Sequence, residues 1–561
     1  MKTIYTFVLI VVLSTLQQAQ FRTTTFDNKI SLNQIDLSGQ VISGNGEYLY
    51  SDSSSIPAGQ DSLTKLKKEI LDTNRLKNNI YDTNIKSNVV APDFNSKKIL
   101  VKDSTAHLYN EYRGLLNDDP IYNNQAPLWK PIIQIVTQET LLNLFDHYIM
   151  NFDWAVVGFS SWNRTFIHSG LPWNNGWKWD QDRFGNNFFL HPYTGAGYFN
   201  TARSNGYDYW ESSIFVFGGS YMWKLFGENG GPERKPERND VIVTTLGGMF
   251  GGEVLYRLSS NVLDERTTGT ERIGRELLAF VLSPGRALSR FISGKMFNHN
   301  TEEVYQKEPL DIVFSTGALV SNNEKTFGSG NTGLFLNADF DYGNPFEKRD
   351  RKPFDYFQLR TDINFGLGRK VVDNIIGYGI LTGTNTKIGN TEVLAGIFSH
   401  FDYWDNQIFE LGTMSFGGGA ITKINIVKGT NLFANFNLGF IPFAGSSTAK
   451  GPDTTQVRDY NFGGGAQFKC DLTLNVGGIF SLTLLSYYYW IHTYVGYSGD
   501  NNIGILKPRI EFHLFNNVGI GFEHRIYYDD RYLHEFSPNH QVHTEQKIFL
   551  TVYFADFLPN K

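Results

Sequence analysis

Gln467-Phe468-Lys469-Cys470-Asp471-Leu472-Thr473-Leu474-Asn475 alternates polar and apolar residues at every step. Successive side chains of a strand point to opposite faces, so this stretch has one charged face and one apolar face. The pattern recurs in Gln358, Arg360, Asp362 and Asn364 against Phe357, Leu359, Ile363 and Phe365, and in Lys507, Arg509, Glu511 and His513 against Ile510, Phe512 and Leu514. Reading outward at this period predicts twelve strands, at 311–320, 333–343, 354–367, 373–384, 390–404, 407–426, 430–443, 458–475, 479–494, 501–515, 517–530 and 544–554. Most exceed the roughly nine to eleven residues of a tilted membrane-crossing strand, and an even number suits a closed bacterial barrel. Phe401, Tyr403 and Trp404, and Tyr487 to Trp490, place aromatic residues near strand ends, as interfacial girdles do. A soluble sandwich has the same alternation with the polar face outward. Strand length, strand number and aromatic placement favour the barrel.

In a barrel of twelve strands the polar face lines a narrow lumen that inserted residues can close. Arg360, Asp362, Lys469, Asp471, Arg509, Glu511, Glu523 and Arg525 are the predicted lumen-facing charges. Their mixed sign argues against strong ion selectivity and against an open pore. Gly417-Gly418-Gly419 and Gly463-Gly464-Gly465 lie inside strands and read as bulges or bends, since a phosphate loop needs a following helix. The last strand sets Ile548, Leu550, Val552 and Phe554 against Lys547 and Thr551, and resembles the terminal strand of outer-membrane proteins, which commonly end in an aromatic. Here Ala555 to Lys561 overhangs it, unless Phe557 serves as the aromatic end.

The other end of the chain fits that compartment. Lys2, the apolar run Ile4 to Leu13 and the small residues Ser14, Thr15 and Ala19 have the layout of a signal peptide over 1–20. Residues 21–97 are rich in Ser, Asn, Asp and Thr, with one short amphipathic stretch at Leu63, Leu66, Ile70 and Leu71, and are predicted to be a polar, mostly disordered leader. Cys470 is the only cysteine, which excludes an internal disulfide and a thiolate zinc cluster. With 56 acidic and 50 basic side chains the net charge is −6, and no basic block points to nucleic acid.

Within a domain predicted over 98–300, the period becomes helical from about 128 to 297. From Pro131, a helix-opening residue, Ile132, Ile135, Val136, Leu141, Leu142, Leu144 and Phe145 form one apolar face. An aromatic loop region follows, and seven of the ten tryptophans fall between Trp154 and Trp223. Further helices are predicted at about 193–204, 209–227, 240–263 and 270–292, separated by the turn Gly230 to Arg238 and by Thr267 to Gly269. The stretch Trp179-Asp180-Gln181-Asp182-Arg183-Phe184-Gly185-Asn186-Asn187, then His191-Pro192-Tyr193-Thr194-Gly195, Ala202 to Tyr207, Gly251 to Ser259 and Arg272 to Glu276 resembles a family of bacterial envelope proteins known as domain of unknown function 3943. The resemblance covers about 130 residues and implies an envelope setting but no reaction.

Candidate chemistry is confined to this helical part. Asp180, Asp182 and His191, with Glu253 as a further candidate, offer carboxylates beside an imidazole, a set that suits either a divalent metal or acid/base work. The same residues equally serve as caps and hydrogen-bond partners. Gly247-Gly248 and Gly251-Gly252 repeat at four residues and let a neighbouring helix approach closely. Glu253 and Arg257 follow at i and i+4, and with Arg203, Glu211 and Glu228 they are candidates for a buried polar network pinning the bundle or binding a ligand. Trp173, Trp177 and Trp179 suit sugar stacking, a membrane interface or a core. No Gly-x-Ser-x-Gly elbow occurs.

The sequence therefore predicts an α+β multidomain chain, a helical domain (98–300) followed by an antiparallel transmembrane β-barrel of about twelve strands (301–561), in the outer membrane of a Gram-negative cell. The helices are expected to hang in the periplasm or plug the barrel. A non-enzymatic binding, passage or structural role is expected, with outer-membrane lipid as partner, a small-molecule or lipid ligand possible in principle, and no nucleic acid, cofactor or metal. The alternatives are a lipid- or glycan-modifying enzyme whose Asp180, Asp182, His191 and Glu253 converge, and a soluble periplasmic binding protein.

Overall fold

The computed structural model describes residues 125–169, 176–230, 234–301, 303–322, 327–328, 330–366, 370–406, 408–448, 459–515 and 517–554. The expectations for 1–20, for 21–97, for Trp173 and for the overhang with Phe557 lie outside these residues. The strands are β1 Leu310–Asn322, β2 Asn331–Tyr342, β3 Phe357–Phe365, β4 Val372–Ile388, β5 Thr391–Asp405, β6 Glu410–Val427, β7 Thr430–Ser447, β8 Tyr460–Val476, β9 Phe480–Val495, β10 Gly499–Phe515, β11 Val518–Leu533 and β12 Asn539–Phe554. Each pairs antiparallel with its sequence neighbours, and β1 closes on β12. The alternation thus produces the expected closed barrel. Tight turns at Gly389, Gly429 and Gly477-Gly478, all at positive φ, join strands at the end where β1 begins and β12 finishes, here called the near rim.

Ion pairs between strands that are not neighbours show which face is the lumen. Arg360 on β3 donates to Asp471 on β8 (3.1 Å) and to the Tyr487 hydroxyl on β9 (2.9 Å). Arg525 on β11 donates to Asp362 on β3 (2.6 Å) and to Glu523 (2.5 Å), and Lys547 on β12 lies 3.4 Å from Asp362. Lys469 on β8 holds both oxygens of Asp402 on β5, at 2.6 and 2.7 Å. Arg509 pairs with Glu511 at 2.6 Å and reaches Ser315 on β1 at 3.1 Å. Such contacts cross the interior, so all eight predicted charges face it. Towards the far rim the inward-facing Trp404, Tyr489, Ile491, Ile503 and Tyr527 form an apolar cluster across the same space.

The helices are α1 Trp129–Tyr148, α2 Phe159–Ser169, α3 His191–Ser204, α4 Tyr209–Met222, α5 Arg238–Val262, α6 Gly269–Leu282 and α7 Pro284–Ile292. The predicted helix 270–292 is two, because Pro284 lacks the amide that would continue α6 and disfavours a helical Ser283, whose ψ is 77°. The predicted aromatic loop region contains α2. One π-helical turn, Asn186–Leu190, leads into α3, and another, Trp223–Gly227, extends α4.

These helices neither plug the barrel nor hang below it. With Asp402 and Thr413 facing the lumen, Phe401, Tyr403 and Gly412 point outward, and they meet the helices. Phe250 of α5 packs on Phe401 (ring centroids 5.7 Å) and covers outward-facing Gly377. Phe184 stacks on Tyr403 (5.4 Å), and Trp179 stacks on Phe443 (6.2 Å). One continuous core therefore joins Phe184, Phe188, Phe250 and Val254 to Phe401, Met414, Phe443 and Phe462 of the outer wall. The physical reason is that these strands carry apolar residues on the outward face, and a helix face can cover them.

Helix α5 runs along the wall from one rim to the other. Near its start Asn239 bonds Asn187, which donates to the hydroxyl of Tyr460, the first residue of β8 at the far rim. Near its end Arg257 donates to the Pro353 carbonyl (2.7 Å), and Asn261 to that of Glu308, two residues before β1. Its 25 residues span about 37 Å at 1.5 Å each. Glycines bring α3 against it. A Cβ on Gly248 would lie 2.7 Å from the Gly195 Cα, and one on Gly252 2.6 Å from Phe199.

The apolar face of α1 is a correction. Of its seven predicted members only Ile135 is buried, whereas Ile132, Val136, Leu141, Leu142, Leu144 and Phe145 are exposed. The buried side carries Gln134, Glu139 and Asp146. Helix α4 is mixed: Ser212, Ser213 and Ser220 turn inward beside Tyr209 and Val216, and Trp210, Ile214 and Phe217 turn outward. The period gives the residues that share a face; it does not give what the face meets.

Candidate functional site

A dense polar cluster of the helical domain sits at the far rim, and the two π turns supply its centre. Lys224, from the second turn, extends its ammonium among Glu228, Glu237 (3.2 Å) and Asp240, and is 2 % exposed. These three carboxylates converge as a cation site would, and the ammonium occupies the meeting point. Each carboxylate also has a second basic partner: Arg234 lies 2.8 Å from Glu228, Lys178 3.1 Å from Glu237, and the His191 imidazole 3.3 Å from Asp240. The cluster ties the end of α4, the approach to α5 and the start of α3 together.

Asn187, from the first turn, donates to both oxygens of Asp180 (3.0 and 2.9 Å) and to the Tyr460 hydroxyl (2.6 Å). Asn239 donates to the Asn187 carbonyl oxygen (2.9 Å) and accepts from the Asp180 amide (3.0 Å). Burial, with Asp240 nearby, pushes the Asp180 carboxyl up to about 7. Burial opposes the His191 imidazolium, yet the neighbouring Asp240 raises its pKa. Burial also opposes ionisation of Asp240, but His191 and Lys224 hold it well below the usual carboxylate range. Glu237 is raised, because burial outweighs Lys224.

The four proposed acid/base residues do not converge. Asp180 and His191 meet in this cluster through Asp240. Asp182 is half-buried and contributes its backbone carbonyl, which accepts from Tyr460 at 3.0 Å. Glu253 lies thirteen residues beyond Asp240 on α5, about 20 Å along the helix. There it is fully buried between two guanidiniums, Arg203 (2.9 Å) and Arg257 (2.8 Å). Arg203 also donates to the Tyr207 carbonyl and lies 4.7 Å from the Tyr256 ring centroid, while Arg257 lies 3.8 Å from Asp355 beside β3. Arg203, Glu253 and Arg257 thus form a network from α3 through α5 to the barrel. Glu228 belongs instead to the Lys224 cluster, and Glu211 forms a capping box with Asp208 at the start of α4.

The sequence reading missed Lys224, Glu237, Asp240 and Asn239. The signal for Lys224 is a lone lysine between Trp223 and Leu225-Phe226, since a charge among buried apolar residues must find partners. It also missed a socket: Gly412 and Gly445 face one another on β6 and β7, and the Phe188 ring fills the space above both. Of the tryptophans, Trp177 stacks on Tyr221 (5.7 Å) in the core, and Trp179 lies between helices and barrel.

Among solved structures the chain is similar to the NanC porin, at 10% identity and TM-score 0.23, over 44% of this chain and 99% of that one. It is similar to the outer-membrane channel DcaP of Acinetobacter baumannii, at 7% identity and TM-score 0.20, over 44% and 96%. A third likeness is to the toluene transporter TodX of Pseudomonas putida, at 7% identity and TM-score 0.20, over 45% and 90%. No curated protein matches the sequence. Residues 176–285, which carry both polar networks, match the family described as a domain of unknown function, DUF3943.

Proposed function

We propose that this protein is an outer-membrane barrel of a Gram-negative envelope whose lumen does not conduct, and whose wall is the scaffold for its helical domain. In this reading it is a structural or binding component, with outer-membrane lipid as its partner. The observation that carries it is the set of ion pairs across the lumen: Arg360 with Asp471, Arg525 with Asp362, and Lys469 with Asp402. A passage protein would leave those walls solvated, yet Arg525 is 1% exposed. Buried charges persist only when paired and hydrogen-bonded, so a partial opening would leave several unpaired at once. The outer wall supports the membrane setting, because Leu438, Phe440, Leu482, Ile548 and Leu550 are exposed on it. The test is reconstitution of the full chain in planar bilayers. The reading expects no ionic current beyond the bare membrane; reproducible unitary conductance steps would overturn it.

A further inference from the structure

We infer that the outward face of the helical domain contacts the acyl chains of the membrane, so that the helices lie within the bilayer beside the barrel. The inference rests on the outer-membrane reading above. Its first support is polarity. In α1 and α4 the exposed side carries the large apolar residues, while the buried side carries Gln134, Glu139, Asp146, Ser212, Ser213 and Ser220 beside Ile135 and Val216, unlike a helix packed on a soluble core, which turns its polar residues outward. Leu141 and Ile214 are 53% and 71% exposed, while Glu139 and Ser212 are buried. Contiguous apolar surface of this kind marks a lipid or protein interface.

The second support is position, which selects lipid. Because α5 reaches both rims, the bundle occupies the depth of the strands rather than a place above or below them. Its apolar core is continuous with the outward face of β4 to β8. On β9, β11 and β12 that same face carries exposed Leu482, Leu484, Ile520, Ile548 and Leu550, alternating with buried inward residues. The exposed helix faces therefore extend a surface that a barrel turns to lipid. No described helix is long and apolar enough to cross a membrane by itself. That agrees with one-sided contact: α1 and α4 each present one apolar face outward and turn polar side chains to the bundle, where Asn143 donates to the Gly227 carbonyl and Ser220 to that of Asp240.

The test uses the full chain with Cys470→Ser, reconstituted in phosphatidylcholine vesicles, with single nitroxide-labelled cysteines replacing Leu141, Ile214, Leu438 or Lys387. Collision rates are measured with oxygen, which concentrates in hydrocarbon, and with a water-soluble nickel chelate. The expected result is an oxygen-to-nickel ratio at Leu141 and Ile214 within about twofold of that at Leu438 on the barrel wall, and several-fold above that at Lys387. A nickel-dominated ratio at the helix positions, with Leu438 still oxygen-dominated, overturns the inference alone. Protection from both reagents at Leu141 and Ile214 also overturns it, in favour of cover by a second copy or by the chain's N-terminal segment. A nickel-dominated ratio at Leu438 itself overturns the underlying membrane reading.

Discussion

Replacing Gly445 by valine tests the docking of the helices at its tightest point. The Phe188 ring is fully buried over the Gly412–Gly445 pair, and a Cβ at 445 would lie 2.3 Å from it, against 3.4–4 Å for ordinary contact. The ring must therefore retreat by about 1 Å, into Phe184, Phe443, Tyr460 and Phe462, which already surround it. Overpacking of this kind costs about 1–3 kcal/mol if the ring finds a new position, and expulsion approaches the 3–5 kcal/mol or so of a buried Phe→Ala change. The barrel itself has no steric conflict, because position 445 faces outward. Limited proteolysis of the helical domain, with heat-dependent gel migration reporting the barrel, separates the two effects. Gly445→Val should expose the helices to protease at least tenfold faster while the barrel remains closed. Phe188→Ala combined with Gly445→Val should be no worse than Phe188→Ala alone, since the clash needs the ring. Unchanged proteolysis in the single variant, or additive damage in the double one, would refute the socket.

Three further outcomes follow from the charge networks. Arg525→Met leaves Asp362 and Glu523 short of a cation and should cost about 3–5 kcal/mol in denaturant unfolding; a loss below about 1 kcal/mol would count against the lumen network. Lys224→Met should destabilise the helical domain by a similar amount, and Lys224→Met with Asp240→Asn less, because the second change removes one stranded carboxylate. The pKa of Asp180 is raised from 3.8 to about 7, so its contribution is fully present below pH 4 and is lost as the pH rises towards 7. Asp180→Asn should flatten that part of the pH–stability profile by about 1.4 kcal/mol per displaced pKa unit, and parallel wild-type and variant profiles would contradict it.

Much of the barrel was legible because a strand's period is short and its consequence local. Arg360, Asp362 and Leu359 declare opposite faces within a few residues, and strand length, strand number and aromatic placement then favour closure over a sandwich. Placement of the helices was not legible. The spacing of Ile132, Val136 and Leu141 says that they share a face, and a water-soluble core and a lipid-facing surface produce the same spacing. Glu139 and Asp146 on the opposite face carried the missing information, since both are buried with the bundle. The Arg203–Glu253–Arg257 network was readable from the i, i+4 pair and the neighbouring glycines. The Lys224 cluster was not, because the stretch before Arg238 reads as a turn and its Glu237 meets Lys224 only through the π turn. The Gly412–Gly445 socket depends on the pairing register of β6 with β7, which spacing within either strand does not determine.

The helical domain lies against the outside of a bridged barrel, and crosslinking at Phe250 tests that placement. On a Cys470→Ser background, cysteines replace Phe250 together with either Gly377, which faces outward beneath the Phe250 ring, or Ile376, its neighbour in the lumen cluster. A short thiol-reactive crosslinker is then applied to the protein in native membranes. Intramolecular crosslinking should be efficient for 250 with 377 and absent for 250 with 376. Crosslinking of 250 with 376 and not with 377 would put the helices inside the barrel and contradict that placement.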